Sequence, residues 1–246
     1  VAHFSIPFYN SGGLIKYLKD VVNYQQGDKN IEYVCVFYPA NYTVCNSEPS
    51  IKYKNNDGLD IYEVNNFSPT TLLEGTKYPE QDIYNKKLED IIIDKIDKLN
   101  INIAHFHTFH GFTSNLIKKI KERNIKIIYT AHDYQPICNR INLLNYKDVY
   151  CDNLKLKNCF ECNSHSLSKT KLKVRYSKVG NILKSNEKIK SFIKNIVVRL
   201  RNKEEKIEID DNKLYDTKLN SLYLKRTNEY VENFNKYVDE ILVSSN

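Results

Sequence analysis

Across the first 131 residues, two hydrophobic periods trade places at regular intervals. Short apolar runs at 1–8, 31–38, 59–64, 101–107 and 125–131 carry the composition of buried strands. Between them, apolar residues fall at helical spacing. Leu14, Tyr17, Leu18 and Val21 mark a helix beginning near Gly13. Pro79 suits the first residue of another, with Glu80 and Asp82 in its first turn and Leu88, Ile92, Ile96 and Leu99 as its buried face, up to Asn100. Thr113 or Ser114 caps a third, which carries Leu116, Ile117 and Ile120. Such alternation demands crossover connections and a mostly parallel sheet with helices on both faces. The expected fold is therefore a doubly wound, Rossmann-like α/β domain. Ligands of such sheets bind outside the carboxyl ends of the strands, so residues at strand ends are the ones to question.

After Ala131 the pattern stops. Residues 132–168 read as an irregular, cysteine-bearing insertion and 169–206 as a basic helical segment. The latter holds 13 Lys/Arg against 3 acidic residues, whereas the whole chain carries a net charge of only +7. Its Ile189, Phe192, Ile193, Ile196, Val197 and Leu200 follow helical spacing, with most lysines and arginines off that stripe. Two readings compete: a helix lying on an anionic membrane surface, or a stripe packed on a core with its lysines solvated. A nucleic-acid partner is not expected, because no helix-turn-helix, zinc-finger or RNP pattern accompanies the charge. Leu219, Leu222, Tyr223, Tyr230, Phe234 and Tyr237 mark a last amphipathic helix, and 240–246 reads as one more strand and a polar turn. The whole chain, 1–246, reads as a single domain. It stops where a strand-end loop begins, which suggests continuation into a further unit.

No apolar stretch approaches the roughly 18 residues of a membrane-spanning helix, and residues 1–8 lack the basic start and cleavage site of a secretory signal. A cytoplasmic protein is expected.

Three constellations stand out. Gly12 and Gly13 are adjacent between the first strand and its helix, where a backbone without side chains admits an anionic group to free N–H groups; the plain alternative is a tight turn. Four histidines fall at strand ends: His105, His107 and His110 around the fourth strand, His132 after the fifth. Alternation turns His105 and His107 to one face, and a histidine such as His105 in an apolar strand is most simply a satisfied core residue. His132 sits on the rim, where an imidazole can bond sugar hydroxyls or phosphate and exchange a proton near neutral pH. Finally, Cys138, Cys151, Cys159 and Cys162 are separated by 12, 7 and 2 residues. A structural zinc site, disulfides or unlinked thiols all fit that spacing, and a reducing compartment favours the first over the second. Cys35 reads as core; Cys45 carries no signal.

The stretches His105-Phe106-His107-Thr108-Phe109-His110-Gly111, Ile128-Tyr129-Thr130-Ala131-His132-Asp133-Tyr134 and Cys138-Asn139-Arg140-Ile141-Asn142-Leu143-Leu144, in this order, resemble the N-terminal domain of glycosyltransferase family 4. These are retaining enzymes of the GT-B fold, and the cysteines resemble those of a subset with a Cys-rich insertion. The likeness implies an acceptor-binding half whose partner, a C-terminal domain holding the nucleotide-sugar, is absent from these 246 residues. It implies that Gly12 and Gly13 approach the donor diphosphate, that His132 faces the transferred sugar, and that His107 and Arg140 line the substrate side. It further implies a glycan or lipid-linked acceptor, cell-surface glycan or glycolipid synthesis, a position at the inner membrane face, and no metal for catalysis. A half-site leaves the departing diphosphate unneutralised, so the chain alone is expected to be inactive. The alternative is a stand-alone, zinc-stabilised module that binds a sugar or a partner without catalysis.

Overall fold

The computed structural model describes residues 1–8, 12–43, 48–70, 75–151, 159–164, 166–177 and 217–243. Seven strands form one sheet: β1 (Ala2–Phe4), β2 (Cys35–Pro39), β3 (Ser50–Asn56), β4 (Leu59–Asn65), β5 (Ile103–Phe106), β6 (Lys126–Ala131) and β7 (Glu240–Val243). Their spatial order is β3-β4-β2-β1-β5-β6-β7, and every pairing is parallel except β3 with β4. The helices are α1 (Gly13–Gly27), α2 (Pro79–Ile83), α3 (Lys86–Lys98), α4 (Asn115–Lys121), α5 (Cys159–Asn163), α6 (Lys169–Arg175) and α7 (Thr217–Tyr237). This is the doubly wound α/β architecture expected from the sequence.

The two faces are covered unequally. Ala2, Phe4, Phe37, Ala104, Phe106 and Ile127 point to the larger core, where α3, α4 and α7 contribute Ile92, Ile96, Leu116, Ile120 and Tyr230. Phe4 stacks between Phe37 and Phe106, with ring centroids 5.1 and 4.4 Å away. Each such pair adds about 0.5–1.5 kcal/mol beyond the area it buries. Alternate residues of the same strands, such as Val36 and Tyr38, turn to the opposite face and meet Leu18 and Val22 of α1.

Several boundaries differ from the sequence reading, for local reasons. The first strand is short. Ser5 still donates its N–H to Phe37 (3.0 Å), but Pro7 brings no donor to a ladder. The segment expected from Ile31 pairs only from Cys35, because Asp28 and Ile31 close a turn (3.1 Å). The single helix expected from Pro79 to Leu99 is two. Asn85 restarts it: its side chain accepts from Leu88 N–H (3.2 Å) while Glu89 accepts from Asn85 N–H (2.8 Å). Neither Thr113 nor Ser114 caps α4 through its side chain; Thr113 donates instead to buried Glu89 (2.7 Å). Strand β3 was not anticipated. It forms a hairpin with β4 through Asp57 (φ 51°) and Gly58 (φ 85°), the left-handed pair that a two-residue turn requires.

Of the basic segment, only the helix at Lys169–Arg175 and the two residues after it are described, with Leu172 in the core. The apolar stripe from Ile189 to Leu200, Cys45 and the turn after Val243 lie outside the described residues. Among the described residues, no helix is long and apolar enough to cross a membrane.

Candidate functional site

The site is fixed by topology. The chain leaves β1 toward β2 and β4 on one side and returns to β5 on the other, so the strand order reverses between β1 and β5. A crevice opens at such a reversal, above the carboxyl ends of the two strands. Here both strands present histidines. His3 lies opposite His105 in the parallel register, and the ladder runs one residue further as His107 N–H donates to Phe4 (2.8 Å). Since Ala2 and Phe4 face the large core, His3, His105 and His107 face α1.

Helical spacing on α1 supplies their partner. Ile15, Leu18 and Val22 are its buried stripe, and the next position on that stripe is Gln25. His3 Nε2 lies 2.7 Å from Gln25 Oε1, and His3 Nδ1 lies 3.0 Å from His107 Nε2. An amide oxygen only accepts, so His3 carries its proton on Nε2 and His107 donates from its own Nε2. That leaves His107 Nδ1 as a buried lone pair without a partner. His105 is satisfied by Thr130 Oγ1 at 2.7 Å, as expected of a core histidine. Burial pushes the pKa of His3 down to about 4 and that of His105 to about 3, the latter helped by His3 and His132. His107 is held well below its ordinary value by burial and by its histidine neighbours. All three rings are neutral at pH 7.

His132 follows β6 and is half-buried, with Nε2 enclosed and unpartnered. Burial lowers its pKa as well, so it too is a neutral base. Tyr17, one turn into α1, touches both His132 and His107, with ring centroids 5.1 and 5.8 Å away. Gly12 (φ 130°) precedes α1 and donates no side-chain cap; at Gly12 and Gly13 an added Cβ would meet nothing within 4 Å. The N-terminus of this 15-residue helix carries the positive end of its dipole. Tyr17 thus joins His107 and His132, and Gly12 and Gly13 lie one turn before it along the chain.

Arg140 lies elsewhere. It acts electrostatically on Cys162, reaches Asp148 at 3.9 Å, and packs its chain beside Gly75. The four cysteines of the insertion are near enough to influence one another electrostatically. Cys159 is raised to about 12, first by burial and then by Cys162, Cys138 and Cys151; Cys162 is raised to about 11 by burial, with Cys138 and Cys151 adding to it. Each is a free thiol among the described residues, as is fully buried Cys35. Burial leaves Cys159 and Cys162 as neutral thiols at pH 7.

A second polar feature holds the insertion against the body. Arg226 of α7, 1% exposed, donates to Asp82 Oδ2 (2.7 Å) and to the carbonyls of Gln135 (2.6 Å) and Pro136 (3.1 Å), while stacking on Tyr230 at 4.0 Å.

The sequence singled out His107 and His132, which Tyr17 brings together, but passed over the contacts of His3, Tyr17 and Gln25 with these histidines. A signal existed for His3: the sheet order places it next to the His105-x-His107 pair, on the same face.

Fold and site together define a doubly wound α/β domain with a cluster of buried histidines at its strand-order reversal. No family model matches the chain, and no curated protein does. Among solved structures it is similar to an α,α-trehalose-phosphate synthase (UDP-forming) from Burkholderia xenovorans in complex with glucose-6-phosphate. That match has a TM-score of 0.36 and 13% identity, covering 54% of this chain and 33% of that one. It is also similar to a structure from E. coli described as trehalose-6-phosphate bound with UDP-2-fluoro glucose, with a TM-score of 0.36, 12% identity and coverage of 54% and 32%. The chain spans about a third of the length of each.

Proposed function

We propose that this chain is the N-terminal, acceptor-binding half of a nucleotide-sugar-dependent, retaining glycosyltransferase of GT-B architecture, similar to family 4 and acting in cell-surface glycan or glycolipid synthesis. The observation that carries the reading is Tyr17, one turn after the two glycines on α1, whose ring packs against His132 and His107. An anionic group approaching Gly12 and Gly13 meets a positive helix end. In this scheme His132, neutral because burial lowers its pKa, faces the transferred sugar with the open part of its half-buried ring. His107 backs His132 at 5.7 Å between ring centroids.

Leaving-group charge is neutralised in this scheme by helix dipoles and by basic side chains of the donor domain, without a catalytic metal. The chain alone then binds acceptor but turns over no donor. The cysteines Cys138, Cys151, Cys159 and Cys162 hold a structural zinc ion that shapes the insertion, with Arg140 beside it. The segment 169–206 rests on the anionic inner face of the membrane, keeping the protein cytoplasmic and peripheral.

The test is saturation-transfer NMR with short glycosides and lipid-linked acceptor analogues, using the chain and its His132→Ala variant. Binding that falls at least tenfold in the folded variant supports the reading. Equal binding by both proteins, or no binding by either, refutes it. The four-thiol cluster favours a second reading, a zinc-stabilised sugar- or partner-binding module without catalysis. Fusion to a donor domain separates the two: transfer appears under the first and not under the second.

A further inference from the structure

We propose that His3, His105 and His107 form a binding site for one borderline divalent transition ion of the Zn²⁺ class. One ring nitrogen from each lies within 4.8 Å of the other two, and all three residues are buried. The arrangement follows from the sheet: His105 and His107 stand two residues apart, and His3 lies opposite His105 on the adjacent strand. Two neighbouring strands therefore aim three imidazoles at one point.

Donor chemistry selects the ion. Three neutral imidazoles without a carboxylate suit Zn²⁺, Co²⁺, Ni²⁺ or Cu²⁺ and disfavour Mg²⁺ and Ca²⁺, which want oxygen. Metal–nitrogen bonds of about 2.0–2.1 Å in a tetrahedral site place ligand atoms about 3.4 Å apart. His3 Nδ1 and His107 Nε2, at 3.0 Å, need to open only slightly.

The surrounding groups are those a histidine metal site uses. A ligating imidazole fixes its orientation by bonding its other nitrogen to a second residue. Gln25 does this for His3, and Thr130 holds the ring of His105. The orphaned Nδ1 of His107 completes the proton balance. On metal binding, the proton that His107 shares with His3 passes to this nitrogen, so two metal–nitrogen bonds replace one hydrogen bond and no proton is released.

The ion would lie beside His132 and away from the cysteines of the insertion. Neither the sugar-transfer reading nor the zinc at the four thiols is needed for it. The test is Co²⁺ titration of the purified chain, followed by visible absorption and equilibrium dialysis, for wild type, His3→Asn and His107→Asn. The expected result is one ion fewer per chain in each variant. The wild-type-minus-variant spectrum should then show ligand-field bands without thiolate charge transfer. Gln25→Leu and Thr130→Val, which alter no ligand, should bind about 10- to 100-fold more weakly. An unchanged ion count in a folded His variant overturns the proposal, as does a thiolate band in the difference spectrum. If the His variants do not fold, wild-type affinity in both Gln25→Leu and Thr130→Val overturns it.

Discussion

Replacing Arg226 by Leu should destabilise the protein more than any surface change. The guanidinium is 1% exposed and makes three hydrogen bonds, to Asp82 and to the carbonyls of Gln135 and Pro136. Its loss leaves the Asp82 carboxylate, also 1% exposed, buried with no counter-charge. Breaking one side of a buried pair costs about 3–5 kcal/mol. For a chain of 246 residues, that lowers Tm by about 6–20 °C, at roughly 2–4 °C per kcal/mol. Asp82→Leu/Arg226→Leu should recover a large part of the loss, because it removes both charges together. Urea unfolding followed by far-ultraviolet circular dichroism, run as a double-mutant cycle, gives the coupling directly. A cost below about 1 kcal/mol for Arg226→Leu, or a double variant no better than the single one, would refute the argument that burial makes this pair indispensable.

Other outcomes follow from single sites. Gly111→Ala should destabilise by about 1–3 kcal/mol, since Gly111 has φ 82° and an added Cβ would sit 2.7 Å from Pro39 Cβ; thermal unfolding reads this. His110 is buried with a pKa lowered to about 4, by burial first and Arg175 second. Its folded pKa lies below the unfolded value, so its contribution is complete above about pH 6.5 and falls by about 3 kcal/mol as the pH drops through 4. Stability against pH should therefore fall less steeply over that window in His110→Phe than in wild type, as measured by urea unfolding at pH 7, 5.5 and 4.5. Elemental analysis of protein purified without chelator should find one zinc ion per chain fewer in Cys159→Ser/Cys162→Ser than in the wild type. Four freely titratable thiols and no zinc in the wild type would remove that ion from the proposed function.

The alternation of strand and helix was legible because β1, β2, β4, β5 and β6 are largely buried and rich in apolar residues. The hairpin strand β3 escaped because Lys52, Tyr53, Lys54 and Asn55 are exposed and carry no apolar alternation. Only the Asp57-Gly58 turn announced it. The break between α2 and α3 escaped because Leu88, Ile92 and Ile96 keep a helical period that runs on smoothly from Pro79. Asn85 decides the matter through two hydrogen bonds, which a periodicity cannot register. At the site, His132 was legible as a rim residue from its position after a run of β-formers. His3 was not, since its meaning depends on which strand becomes the neighbour of β1, and that is a property of the assembled sheet.

The β6–β7 pairing has a consequence for reach. Ala131 is matched to Val243 across the two strands, and His132 is the next residue along. β7 is exposed along its whole length, with Val243 72% open to solvent. Any body docked against that outer strand therefore stands one rung from the imidazole, with β5 and β6 between it and β1.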